Sequence, residues 1–351
     1  MWGKADFAAA PIGPWVKTIG VIDTTLRDAH QCLWATRMTT PMILPIAETF
    51  DRAGFAQIDL MGAIQFDVCV RYLHEDPWER IRLVRKRITH TPLRALIRSR
   101  NFISFDMLPD DVIELLIERL AANGFSVIGS FDGLNDVDNM LLSIRAAKRA
   151  GVKTFGALAY SHSPAHTDEL YVRTAKELVQ RAGVDFIMLK DSAGLLTPER
   201  IRTLVPAIKA VIGTTPLELH SHCLTGLAPR VSIEGVEAGA DLVHLSIAPL
   251  AEGPAQPAVQ KIVPQLRERG YRVDVDDNEI EKISAHFAEI AQRLNKPVGE
   301  SMGFDPFHFV HQVPGGMKTN FEFQLREIGL SEKLDEVLHE CGRIRAELGW
   351  P

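Results

Sequence analysis

Residues 185–222, DFIMLKDSAGLLTPERIRTLVPAIKAVIGTTPLELHSH, decide the fold. The apolar stretches 185–190 (DFIMLK) and 216–220 (PLELH) have the length of buried strands, and a helix fits between them. Thr197 is a natural cap for that helix, and Pro198 sits in its first turn, where the missing N–H costs nothing. The same alternation runs outward in both directions. Further strands are expected at 18–23, 56–61, 93–97, 125–131, 153–160 and 241–247. Between two of them, PDDVIELLIERLAANG has a start at Pro109 and Asp110, a stop at Gly124, and Val112, Leu115, Leu116 and Leu120 at helical spacing. Gly183, Gly239 and Gly270 close other helices in the same way.

Eight strand–helix units over about 240 residues predict a (β/α)8 TIM barrel, because strands alternating with helices imply a parallel sheet and this length suits closure. The competing architecture is a doubly wound open sheet. Its first turn would hold a glycine-rich phosphate cradle, whereas here that turn reads DTTLRDAHQ, residues 23–31. Beyond residue 275 long amphipathic helices take over. The expected division is therefore a barrel over 1–275 and a C-terminal helical appendage over 276–351, interrupted by a loop containing PGGMKTN.

The charge balance is ordinary, with 39 Lys+Arg against 45 Asp+Glu and a net charge of −6, which argues against a nucleic-acid partner. No apolar run approaches a membrane span, and the N-terminus lacks a secretory pattern, so a cytoplasmic location is expected. The four cysteines are scattered without CxxC spacing, which fits a reducing compartment and gives no zinc knuckle.

In a barrel, polar residues at the C-terminal ends of strands share one mouth, where barrel enzymes work. Asp28 follows the first strand, Lys190 ends the sixth, and His220 and His222 end the seventh. Residues two apart on a strand face the same side, so the HxH pair can present two imidazoles to one divalent cation, with Asp28 as a third ligand. The alternative is that the histidines satisfy hydrogen bonds at a strand end and that Arg27 and Asp28 form a structural ion pair. A protonated Lys190 would repel a cation. It either pairs with Asp191 or Asp23, or adds CO2 at its amine to become an anionic carbamate ligand.

The strings DTTLRDAHQCLWATRM, FDVCVRYLHEDPWERI, FDGLND, YSHSPAHTDELY, MLKDSAGLLTP, HSH and HQVPGGMKTN, spread in order over residues 18–351, resemble the carboxyltransferase component of biotin-dependent enzymes. Pyruvate carboxylase, the oxaloacetate decarboxylase alpha chain and the pyruvate-binding subunit of transcarboxylase share this component. The resemblance implies a metal, Mn, Zn or Co, held by Asp28, N6-carboxylated Lys190, His220 and His222. It also implies CO2 transfer between carboxybiotin and a small keto acid, pyruvate or oxaloacetate. Arg27, Gln31 and Arg98 match keto-acid-binding residues, Asp67 matches a residue at the biotin end, and Thr319 matches the proton carrier. Thr319 could equally cap a helix beginning near Phe321, and Arg27 and Arg98 could be ion pairs at the barrel mouth.

The implied partners are a biotin carrier protein together with biotin carboxylase or membrane decarboxylase subunits. A homodimer or larger assembly is common in the family. No biotinyl-lysine motif or ATP-grasp region is evident, and the sequence stops short of the family's usual carboxyltransferase domain. Several positions depart from the pattern. Cys223 and Leu224 replace an acid and a hydroxyl, Pro254 and Ala255 replace two hydroxyls, Gly129 replaces an arginine, Asp138 stands where another arginine is expected, and Phe105 replaces a tyrosine. Two other functions remain open: a biotin-independent metal-dependent lyase of the wider hydroxymethylglutaryl-CoA lyase-like group, and a non-catalytic scaffold subunit.

Overall fold

The computed structural model describes residues 17–102 and 106–350. Eight parallel strands close into a barrel in sequence order. They are β1 (Gly20–Asp23), β2 (Gln57–Gly62), β3 (Leu93–Ile97), β4 (Val127–Phe131), β5 (Lys153–Ala159), β6 (Phe186–Asp191), β7 (Leu217–Ser221) and β8 (Leu242–Leu245). β8 returns to β1 with Gly20 beside Leu242 and Asp23 beside Leu245, so the sheet has no free edge. The eight expected strands are all present. Crossover helices carry each strand to the next, because parallel neighbours need a long connection and the outer sheet face needs an apolar cover.

Side chains alternate across the sheet and divide the core in two. Leu96, Val127, Phe155, Ala157 and Met188 form a small apolar cluster of their own, with Phe131 and Phe186 at its edge. A much larger cluster joins the strands to the helices.

The helix Asp110–Ala122 corrects one detail of the expected pattern. It buries Ile113, Leu116, Ile117 and Leu120, whereas Val112 and Leu115 are 41% and 55% exposed. Both apolar sets have helical spacing and share Leu116 and Leu120; contact with the sheet selects the stripe that starts at Ile113.

The C-terminal part is helical as expected, with one correction. The PGGMKTN stretch is not a loop, because Gly315–Glu327 form a helix that starts directly after Pro314. Pro314 is extended, with φ −60° and ψ 149°, and lacks the N–H that a preceding helical turn would use. Thr319 therefore lies within a helix, not at a cap before Phe321. The earlier helix Asp277–Arg293 packs into the main core. Its Phe287 meets Trp34 and Phe50 edge-on, with ring centroids 6.2 and 6.3 Å away. Among the described residues, no helix is long and apolar enough to cross a membrane.

Phe287 is fully buried. Phe287→Ala should lower the unfolding free energy by about 3–5 kcal/mol through lost burial and a residual cavity. Denaturant unfolding checks this, and a change below about 1 kcal/mol, roughly that of a surface site, would detach this helix from the core.

Candidate metal centre

The site begins where β1 ends. Asp23 accepts hydrogen bonds from the Thr25 N–H (3.2 Å) and hydroxyl (2.6 Å), bending the chain into the short helical turn Thr25–Ala29. Burial raises the Asp23 carboxyl to about 7, although these hydrogen bonds oppose the shift. The turn delivers Asp28 to the barrel mouth. From β7, His220 and His222 point to the same side, and the parallel register sets Lys190 of β6 directly beside His220.

Asp28, His220 and His222 are all buried and bring one ligand atom each within 4.8 Å of the others. Asp28 Oδ2 lies 3.1 Å from His220 Nε2 and 3.3 Å from His222 Nε2. The two Nε2 atoms are 3.1 Å apart. His222 Nδ1 is 2.7 Å from the Pro254 carbonyl oxygen. That oxygen only accepts, so Nδ1 carries a proton, and Nε2 is the atom that faces Asp28 and that a cation would take in place of a second proton. A carboxylate oxygen and convergent imidazole nitrogens suit a divalent transition metal, so the donor set fits the cation that the sequence implies.

The charges explain the local electrostatics. Burial opposes ionisation of Asp28, but Arg27 and the two histidines hold its carboxyl well below the usual range. Burial likewise opposes protonation of His222, yet Asp28 more than offsets it and raises the pKa to about 10. His220 is pushed well below its ordinary value by burial and by the charge of Lys190. Burial also lowers Lys190, with Asp28 opposing and Arg27 reinforcing that shift.

Lys190 does not pair with either aspartate considered for it. Asp191 accepts from the N–H groups of Leu195 (2.8 Å) and Leu196 (2.9 Å) and from the Ser221 hydroxyl (2.8 Å), and Asp23 is held by Thr25. The ammonium instead contacts the Ser192 hydroxyl at 2.5 Å and lies 5.7 Å from the centre of the Phe131 ring.

Arg27 is an ion-pair residue as well as a mouth residue. Its guanidinium donates to Asp59 at 2.8 and 2.6 Å and lies 3.0 Å from Asp28. Gln65 joins it to Gln31, donating to the Arg27 carbonyl at 3.1 Å and to the Gln31 side chain at 3.3 Å. Arg98 follows β3, half-buried, with its pKa lowered by burial. Asp67 pairs with Arg71 at 2.8 Å on the next helical turn. The side chain of Thr319, and the whole of Phe105, lie outside the described residues.

Gln256 escaped the sequence reading. It is fully buried, and its amide nitrogen lies 3.0 Å from both Asp28 Oδ2 and His222 Nε2. Its oxygen accepts from the hydroxyls of Thr24 (2.9 Å) and Ser246 (3.2 Å). Its place just after β8, at the same mouth as the HxH pair, was the available signal.

The departures from the family pattern fall into two groups. Cys223 and Ala255 join the strand 7 and strand 8 loops through an N–H to carbonyl bond of 2.8 Å, and both are buried. A Cβ on Gly315 would lie 2.9 Å from Pro254 and 3.3 Å from Leu224, so these substitutions seat the start of the 315–327 helix. The place of a side chain at Gly129 is filled by the Phe155 ring, 2.2 Å from an ideal Cβ. Asp138, by contrast, is exposed and pairs with Arg181 on the outer surface.

Binding of Co2+ must displace the proton that Asp28 draws onto His222. Affinity should therefore rise with pH through the neutral range, with protons released on binding. Calorimetry in buffers of different ionisation enthalpy measures that release. Asp28→Asn should both weaken binding and flatten the pH dependence.

Comparison with known proteins bears on the same residues. Residues 135–286 match the HMGL-like family, and residues 309–351 match the conserved carboxylase domain. The chain is 42% identical over 336 residues to a pyruvate carboxylase subunit of Methanocaldococcus jannaschii, covering 95% of this chain and 59% of that protein. It is 36% identical to the methylmalonyl-CoA carboxyltransferase 5S subunit of Propionibacterium freudenreichii subsp. shermanii, covering 95% and 66% respectively. The carboxyl transferase domain of Rhizobium etli pyruvate carboxylase, solved with pyruvate, superposes with a TM-score of 0.89 at 30% identity, covering 95% of this chain and 57% of that one. The chain thus spans less than two thirds of the length of these relatives. The barrel, its buried triad and these matches place the chain in the family of carboxyltransferase domains of biotin-dependent enzymes.

Proposed function

We propose that this chain transfers CO2 between carboxybiotin on a partner protein and a small keto acid of the pyruvate and oxaloacetate type. The observation that carries this reading is the placement of Lys190 beside His220 and the buried Asp28–His220–His222 triad, with Arg27 at the same mouth. A divalent Mn, Zn or Co ion held by Asp28, Lys190, His220 and His222 would supply fixed positive charge where the enolate's negative charge develops.

Lys190 becomes a ligand through its carbamate. Burial favours its neutral amine, whose nitrogen forms a bond to the carbon of CO2 and releases a proton, leaving an anionic oxygen. Arg27, already oriented by Asp59 and Asp28, presents a guanidinium to the keto acid's carboxylate with Arg98 and Gln31. Thr319, carried on the 315–327 helix, relays a proton between the pyruvate methyl group and the biotin nitrogen. Asp67 serves the biotin end. The reading includes a biotin carrier partner, biotin carboxylase or membrane decarboxylase subunits, a homodimeric or larger assembly, and a cytoplasmic site of action.

The decisive experiment is oxaloacetate decarboxylation by the metal-loaded protein with and without free biotin. Strong stimulation by biotin is expected; a folded, metal-bound protein that biotin leaves unchanged would overturn carboxyl transfer and favour the lyase or scaffold reading. Lys190→Ala should abolish transfer and weaken metal retention, measured by elemental analysis after dialysis. Thr319→Ala should keep the metal and the fold while lowering kcat by about 10^2–10^4-fold, the usual worth of a positioned proton-transfer group.

A further inference from the structure

Behind His220 a line of buried polar groups runs through the barrel interior that the proposed reaction does not use. His220 Nδ1 lies 3.2 Å from His244 Nδ1, on the neighbouring strand β8. His244 Nε2 lies 3.1 Å from Glu218 Oε2. The same oxygen accepts from Arg94 Nη2 at 2.9 Å, and Arg94 Nη1 donates to Gln57 at 2.9 Å. The Arg94 guanidinium rests on the Phe155 ring, 3.9 Å from its centre. Arg94, Glu218, His220 and His244 are each at most 1% exposed, so water cannot replace a missing partner.

The directions of the hydrogen bonds follow from the chemistry of each group. Arg94 can only donate, so Glu218 Oε2 is an acceptor, and an ionised carboxylate has no proton to give to His244. His244 must then carry its proton on Nε2, leaving a lone pair on Nδ1. The proton in the bond between the two Nδ1 atoms consequently belongs to His220. That leaves a lone pair on His220 Nε2, the atom that faces Asp28 and His222.

We propose that Glu218 and His244 form a relay that locks His220 in its Nδ1–H tautomer, making His244 a positioning residue for the metal-binding face of His220. The relay rests on the reading that Asp28, His220 and His222 hold a cation. It differs from the support of His222, whose tautomer is set by a backbone carbonyl. One imidazole is thus tied to a loop and the other to a charged side chain in the barrel interior. Outer partners of this kind orient ligands and raise their basicity.

The first test is the tautomer of His220 in the wild-type chain, read by NMR of 15N-histidine-labelled protein and assigned by loss of the signal in His220→Asn. The Nδ1–H form is expected; the Nε2–H form would overturn the relay. The second test is Co2+ binding by two variants. His244→Asn retains an acceptor near the position of Nδ1 and should stay within about threefold of wild type, whereas His244→Leu should lose about 10–100-fold in affinity. Equal affinity in wild type and His244→Leu, or equal losses in both variants, would overturn the proposal. If His244→Leu does not fold, the wild-type tautomer and His244→Asn still decide it. Failure of the wild type to bind Co2+ while His220 is in the Nδ1–H form would defeat the metal reading, and with it the positioning role of His244, while leaving the tautomer lock itself in place.

Discussion

Ionisable groups crowded together out of water are the constraint on which this barrel mouth depends. Arg27, Asp28, Lys190, His220 and His222 are each at most 8% exposed. Burying an isolated charge costs several kcal/mol, so such a cluster is tolerable only where opposite charges and hydrogen-bond donors surround it. The structure supplies them in a definite order. Asp59 and Asp28 neutralise Arg27, the histidines draw on Asp28, and Gln256 adds an amide donor. The same low-dielectric setting that makes the cluster costly also makes it a strong site for a cation and a small anion.

Barrel closure gives that cluster its precision. Lys190 and His220 are neighbours because β6 and β7 pair in that register, and Asp28 joins them because β1 closes on β8. The loop after β8 then acts as a brace. Glu252 takes a left-handed φ of 71° and holds the loop through the Ala258 N–H (3.2 Å) and the Ser301 hydroxyl (3.1 Å). From that loop, Pro254 reaches His222, Ala255 reaches Cys223 and Gln256 reaches Asp28. The C-terminal segment is tied to the same end. Gln312 donates to the His162 carbonyl at 2.6 Å and accepts from the His162 N–H at 3.1 Å, while Gly315 approaches Pro254 too closely for a side chain. The helix bearing Thr319 thus starts on a surface shaped by the loops that also brace the metal ligands.

The substitutions that set this chain apart from its family pattern acquire local meanings in three dimensions. Leu224 and Pro254 form the apolar seat for Gly315, and Phe155 takes the space beside Gly129 and supports Arg94. Asp138 is a surface residue paired with Arg181. Two of these groups of changes lie at or within the barrel and one lies outside it.

The eight strands, their parallel order and the triad of Asp28, His220 and His222 were legible in the sequence. Strand length, period-two alternation and position after a strand are local properties, and a barrel converts them into one shared mouth. Gln256, His244 and Glu218 were not legible, because a glutamine in a loop and polar residues within apolar strands carry no spacing signal of their own. They acquire roles only when non-neighbouring segments meet inside a space that excludes water. The exposed face of the 110–122 helix and the helical state of residues 315–320 were likewise decided by packing, since two apolar stripes had helical spacing and a Pro-Gly-Gly string suits either a turn or a helix start. The amino-acid sequence by itself determined which chemistry could gather at the barrel mouth; the tertiary structure decided which atoms face one another, because buried hydrogen-bond direction depends on partners distant in the chain.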